Sequence, residues 1–152
     1  MREPVRRVHN DYTAKSGIRR VRDHLPPAEA EARLKKHFYE VNVWRPIVGP
    51  LEDAPLALCD ARSIAPEDLL ATDLIYPDKV GETYSLAYNP LHKWFYFPRL
   101  VREEAILIKC FDSDTGNPGR FTAHTAFDDP STPPNARPRE SIETRALVFF
   151  PS

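Results

Sequence analysis

Proline is the residue that most limits what this chain can become: sixteen of its 152 residues are proline, spread from Pro4 to Pro151. Each one fixes φ near about −65°, removes an amide donor, and interrupts a helix interior or a central strand. Only five glycines offer softer alternatives, so the turns are rigid, the elements short, and a bundle of long helices is disfavoured. With 41% hydrophobic and 28% charged residues, the chain can still bury a core; it is too apolar for a disordered tail. Its length suits one domain over residues 1–152.

Between the prolines the periodicity is mostly two. Val5–Thr13 predicts a short strand running into a turn, and Ser16–Leu25 a brief basic helix stopped by Pro26-Pro27. Pro27 occupies a first helical position ahead of Ala28–Phe38, where Leu34 and Phe38 form an i,i+4 apolar pair. From Tyr39 the side chains alternate, with Val41, Val43 and Arg45 on one side and Asn42 and Trp44 on the other, until Pro46 ends the strand. Further strands are expected at Leu56–Cys59, Glu82–Tyr88, Lys93–Phe97, Ala105–Phe111, Arg120–Phe127 and Ile142–Phe150. A second short helix is read from Pro66 through PEDLLATDLI, with its acidic residues in the first turn. Pro130–Pro138 reads as a long rigid connection before the last strand. Many short strands with two or three covering helices predict a mainly antiparallel barrel or sandwich.

Charge and apolar content narrow the function. Lys+Arg 21 against Asp+Glu 22 leaves a formal net charge of −1, so nothing points to nucleic acid or a membrane surface as partner. Apolar runs such as Ala105–Ile108 and Ala146–Phe150 fall far short of the roughly 20 residues a spanning helix needs. Met1–Pro4 lacks an apolar signal core, and two cysteines, Cys59 and Cys110, do not make a disulfide scaffold; the cytoplasm is the expected compartment. Both thiols lie in apolar runs and read as buried and inert. Asp112–Gly116 reads as a hairpin turn, since a calcium loop would need more acidic ligands.

The chemistry is carried by His9-Asn10-Asp11. Alternate residues of an extended strand share a face, so an imidazole and a carboxylate can point at one atom. With a second histidine they would complete a 2-His-1-carboxylate set, which leaves three positions of an octahedral iron open. His24, His37, His92 and His124 are the candidates. His24 abuts a proline pair, His37 follows two lysines, and His92 sits at a strand entrance, whereas His124 lies on a late apolar strand. Downstream, Arg139 and Ser141 share a face, where a guanidinium fork and a hydroxyl suit the distal carboxylate of 2-oxoglutarate. The bland alternative is that His9 and Asp11 pair at a strand end while His124 is a core residue.

The segments HNDYT (9–13), NVWRPI (42–47), PLALCD (55–60), WFYFP (94–98), LIKCFDS (107–113), HTAF (124–127) and RPRESIETRALVF (137–149) resemble the hydroxylase/desaturase family of AsaB-like, CmcJ-like and gibberellin desaturase-like proteins. The resemblance runs almost end to end. It implies a double-stranded β-helix, jelly-roll or cupin-like, and a non-haem Fe(II), 2-oxoglutarate-dependent oxygenase that hydroxylates or desaturates a small molecule of secondary metabolism, using dioxygen. Carried over residue by residue, the metal ligands are His9, Asp11 and His124, and the cosubstrate contacts are Arg139, Ser141 and Arg145. No catalytic side chain beyond the ligands is expected. Arg145 also has a plainer reading as a solvated strand charge, and Trp44 and Arg45 either line the pocket or, for Trp44, fill the core.

Family members carry a sizeable region ahead of His-x-Asp, whereas only eight residues precede His9 here. This chain therefore resembles the C-terminal part of a full-length member, and an N-terminal strand is expected to be missing. An open edge follows, through which the chain would pair with a second copy. That expectation also motivates a different class of function, a catalytically silent barrel that binds a small molecule or a partner. Methyl transfer, a label some relatives carry, has no glycine-rich nucleotide loop to support it.

Overall fold

Nine strands arrange into two antiparallel sheets in the computed structural model, which describes residues 3–151. The larger sheet has the order β4-β5-β1-β8-β3-β6, from Leu69–Ile75 (β4), Val80–Leu86 (β5), His9–Asn10 (β1), His124–Ala126 (β8), Leu56–Cys59 (β3) and Trp94–Tyr96 (β6). The smaller has the order β7-β2-β9, from Ile106–Asp112 (β7), Phe38–Pro46 (β2) and Ser141–Phe149 (β9). Apart from the β4–β5 hairpin, the neighbours in both sheets are non-consecutive, which gives the mainly β, jelly-roll, cupin-like architecture expected from the sequence. No helix among the described residues is long and apolar enough to cross a membrane.

β2 organises the small sheet. Its residues alternate buried and half-buried along the whole strand, with Phe38, Glu40, Asn42, Trp44 and Pro46 turned inward. Phe38, Trp44, Ile106, Ile108, Cys110 and Phe111 join Leu56 of β3 and Val21 of the first helix in one core cluster. That helix, α1 (Ala14–His24), starts at Thr13, whose Oγ1 accepts from the amides of Lys15 and Ser16 while Ser16 Oγ accepts from the Thr13 amide. The same pair ties α1 to β5: Thr13 Oγ1 donates to the Glu82 carboxylate, and Ser16 Oγ donates to the Glu82 carbonyl at 2.8 Å.

Two expected helices change. The helix opened by Pro27 ends at Leu34 (α2, Pro27–Leu34), and Phe38 begins β2 instead. An i,i+4 apolar pair contributes about 0.2–0.5 kcal/mol, whereas burying a phenylalanine contributes about 1.5–3 kcal/mol. Phe38 takes the second option, packed between Phe111 and Phe149 at ring distances of 5.4 and 5.8 Å. Pro66–Asp68 makes only a 3₁₀ turn, after which Leu69–Ile75 is strand. A ten-residue helix is marginal by itself, and a seven-pair ladder with β5 outcompetes it. The strand expected over Val5–Thr13 shrinks to His9–Asn10, and that over Arg120–Phe127 to His124–Ala126.

Gly17 marks the closest approach of α1 to the small sheet: a Cβ there would lie 2.5 Å from Phe111 Cδ2. Gly17→Ala gains helix propensity yet collides with a fully buried ring, so we expect a net loss of about 1–3 kcal/mol, read as a lower urea midpoint. A second prediction comes from Glu40. It is 2% exposed, and neither carboxylate oxygen has a hydrogen-bond partner among the described residues. Burial pushes its carboxyl up to about 8, against the pull of Arg20. The folded state thus holds this proton more tightly than the unfolded chain, whose carboxyl titrates near 4.5, so stability falls between those two values and levels off above. Glu40→Gln should remove this component: relative to wild type, its Tm rises at pH 8 and hardly changes at pH 4.

Candidate metal centre

His9 and His124 face each other across the β1–β8 ladder as direct partners. Opposite residues of adjacent antiparallel strands project to the same side, which brings the imidazole rings to a centroid distance of 4.6 Å. Each ring is held the same way. His9 Nδ1 lies 2.8 Å from the Arg7 carbonyl, and His124 Nδ1 lies 2.9 Å from the Thr122 carbonyl. A carbonyl only accepts, so both Nδ1 atoms donate, and Nε2 is the nitrogen of each ring left to face a metal. Burial, and next the neighbouring His9, lower the pKa of His124, favouring the neutral ring that a metal requires.

Asp11 reaches the same point differently from the sequence expectation. β1 stops at Asn10 and the chain bends at Asp11, ahead of the Thr13 cap. Asn10, fully buried, donates from Nδ2 to the Tyr12 carbonyl at 2.6 Å and to the Cys110 carbonyl at 2.8 Å, pinning the bend against β7. Asp11 Oδ1 then sits 3.8 Å from His9 Nε2. Ligand atoms of His9, Asp11 and His124 all lie within 4.8 Å of one another. Two imidazole nitrogens and a carboxylate on one side of a point suit a divalent iron with open positions opposite.

The cosubstrate candidates separate. Arg139, just before β9, donates from Nη1 to the Ala54 carbonyl at 2.6 Å and lies over the Trp44 ring at 5.5 Å. Burial lowers its pKa, and no carboxylate of the described residues forms an ion pair with it. A half-buried guanidinium in that state fits an incoming carboxylate. Ser141 opens β9 opposite Pro46, on the inward-facing series with Glu143 and Arg145. Arg145, by contrast, is engaged: Nη2 is 3.2 Å from Asp11 Oδ2 and Nε is 3.0 Å from Glu143 Oε1. Burial works against its charge, but Asp11 and Glu143 hold its pKa above the ordinary value.

Other sequence candidates fall elsewhere. His37 Nε2 bonds Asp112 Oδ1 at 2.7 Å, and His92 Nε2 bonds Asp68 Oδ2 at 2.9 Å, so both are committed to structural carboxylates. His24 lines a cavity with Arg20 and Glu40. Trp44 is buried in the core, and Arg45 lies on the other face of β2. Both cysteines are free and buried, as expected. Asn42 is the residue the sequence reading did not single out: it is fully buried and its Nδ2 donates to Asp11 Oδ2 at 2.5 Å. Its only sequence signal was its place on the Trp44 side of an alternating strand. A cavity of about 560 Å³ opens on the opposite face of the large sheet, lined by Ala57, Thr125, Trp94 and Tyr96, which alternate with the site-facing Leu58 and His124.

Fold and site together define a jelly-roll protein with a facial His-Asp-His set suited to a divalent metal. Residues 1–149 match the family model described as "Oxidoreductase/YMDC permease-like domain". The chain is 42% identical over 135 residues to aspirochlorine biosynthesis protein N of Aspergillus oryzae, covering 87% of this chain and 56% of that protein. It is 39% identical over 149 residues to the Fe(II)/2-oxoglutarate-dependent dioxygenase nvfI of Aspergillus novofumigatus (97% and 53%), and 40% identical over 144 residues to the hydroxylase/desaturase asaB of Aspergillus flavus (86% and 63%). A solved structure of the iron and alpha-ketoglutarate-dependent endoperoxidase NvfI superposes with a TM-score of 0.89 at 37% identity, covering 96% of this chain and 54% of that one. The chain belongs to this oxidoreductase family, alongside asaB and nvfI. It spans a little over half the length of these curated relatives.

The geometry makes the site testable by metal alone. His124→Ala leaves His9 and Asp11 as a two-ligand remnant, and we expect anaerobic calorimetry with Fe(II) to show one bound ion for wild type and none at micromolar protein for the variant.

Proposed function

We propose that this chain acts as the catalytic barrel of an Fe(II)/2-oxoglutarate-dependent oxygenase that oxidises a C–H bond of a small molecule in secondary metabolism. The observation that carries this reading is the convergence of His9, Asp11 and His124, with both Nδ1 atoms tied to carbonyls and both Nε2 atoms free. His9, Asp11 and His124 would hold the iron, and Arg139 with Ser141 would hold the distal carboxylate of 2-oxoglutarate. When bound, iron and 2-oxoglutarate together supply the oxidant, with dioxygen consumed and succinate and carbon dioxide formed.

The protein's own side chains bind and orient. Trp44 and Asn42 are two apart on the inward face of β2, about 7 Å along the strand, so the Arg139 guanidinium over Trp44 lies one step along the interior from Asp11 above Asn42. Across the large sheet a single rung runs Leu70, Ser85, His9, His124, Leu58, Phe95. Leu58 beside His124 therefore extends that face with apolar surface, suited to a substrate presenting hydrocarbon rather than charge. Two buried free thiols fit a reducing compartment such as the cytoplasm.

A second reading, a silent barrel that pairs with another copy or a partner, draws support from β6. Among the described residues that strand pairs only with β3, and it carries Phe95 at 58% exposure beside the half-exposed Trp94 and Tyr96. One experiment separates the two. Anaerobic addition of Fe(II) and 2-oxoglutarate should produce a metal-to-ligand charge-transfer band in the visible, and Arg139→Ala should raise the 2-oxoglutarate concentration for half-maximal absorbance at least tenfold. A flat spectrum from folded, iron-loaded protein would leave the silent barrel as the reading.

A further inference from the structure

Asp11 is contacted unequally. Its Oδ2 accepts from Asn42 Nδ2 at 2.5 Å, pairs with Arg145 Nη2 at 3.2 Å, and lies 4.0 Å from the Cys110 Sγ. All three groups belong to the small sheet, one each from β2, β9 and β7. Its Oδ1 is left facing His9 Nε2 on the large sheet. We propose that Asn42 and Arg145 are positioning residues that clamp one oxygen of Asp11, so that the carboxylate offers the metal only the other.

Three physical arguments support the clamp, which rests on the metal reading above. First, a carboxylate free to rotate can chelate an ion through both oxygens, taking up a coordination position that cosubstrate or dioxygen needs. Occupying Oδ2 with the Asn42 amide donor and the Arg145 ion pair removes that option. Second, Asn42 is an expensive residue for its position. It is fully buried and its Oδ1 has no hydrogen-bond partner among the described residues. An unpaired buried carbonyl costs about 1–3 kcal/mol, a burden that an apolar side chain beside Ile108 would avoid. The amide is accounted for by its short bond to Asp11. Third, Arg145 places a cation close to an ion-binding site, which by itself opposes metal binding. Glu143 Oε1 on its Nε offsets that charge and fixes the guanidinium plane. With both ends occupied, Arg145 is a support for Asp11 and not the arm that takes the cosubstrate.

The test uses Co(II) as a redox-silent probe, by calorimetry and visible absorption, on wild type, Asn42→Ala, Arg145→Lys, Arg62→Ala and His124→Ala. Arg145→Lys keeps the charge and sits on a half-exposed side chain, so it reads geometry even where Asn42→Ala fails to fold. Both clamp variants should bind Co(II) at least about tenfold more weakly, with ligand-field bands shifted from wild type, while Arg62→Ala, at an exposed residue paired with Asp60, binds as wild type does. Unchanged affinity and spectra in Arg145→Lys and in any folded Asn42→Ala would overturn the clamp with the metal site intact. Wild-type binding in His124→Ala, or no binding by wild type, would overturn the metal reading itself.

Discussion

The site depends on a strand only two residues long. β1 is held between β5 and β8, and its pairing with β8 is what sets His9 opposite His124. Two residues of ladder would not by themselves resist fraying. Asn10 supplies the missing restraint: its buried amide bonds the carbonyls of Tyr12 and Cys110 and so joins the large sheet to the small one. The Thr13–Ser16 capping box, tied to Glu82, fixes the chain on the far side of the bend. Asp11 is thus trapped between an inter-sheet pin and a helix start.

This arrangement divides the work between the sheets. The large sheet presents the two imidazoles, whose orientation follows from bonds to carbonyls two residues upstream. The small sheet adds no member to the His9, Asp11 and His124 group, yet its Asn42 and Arg145 contact the Asp11 carboxylate. A gap between two sheets is where a jelly roll has room for a ligand, and here the polar groups of that gap are concentrated along the inward faces of β2 and β9. Glu40 lies on the same face, its carboxyl pushed up by burial.

Most of the strands were legible because β2 and β9 alternate over nine residues and the apolar run of β3 is short, with Pro punctuation limiting their ends. β2, β3 and β9 lie within a residue of their expected spans. The failures share a cause. Ala28–Phe38 and PEDLLATDLI have acceptable helical composition, but Phe38 and Leu69–Ile75 gain more from distant partners than from the next turn. His-x-Asp was legible as a pair, although the sequence reading put both residues on one continuous strand where the chain in fact bends. Asn42 was not legible at all, since a lone polar residue in an alternating strand looks the same whether it faces solvent or a carboxylate 31 positions away.

By itself the sequence determined the residue types that can bind a metal, the class of short-stranded β architecture, and the order in which ligands and basic side chains occur. These are local properties, set by proline placement, side-chain alternation and donor chemistry. Which arginine is free and which is committed was decided only by the tertiary structure. Arg139 and Arg145 are six residues apart with the same inward parity, and what distinguishes them is the company each meets: a carbonyl and an indole for one, two carboxylates for the other. Contacts of that kind span the chain, and no local pattern encodes them.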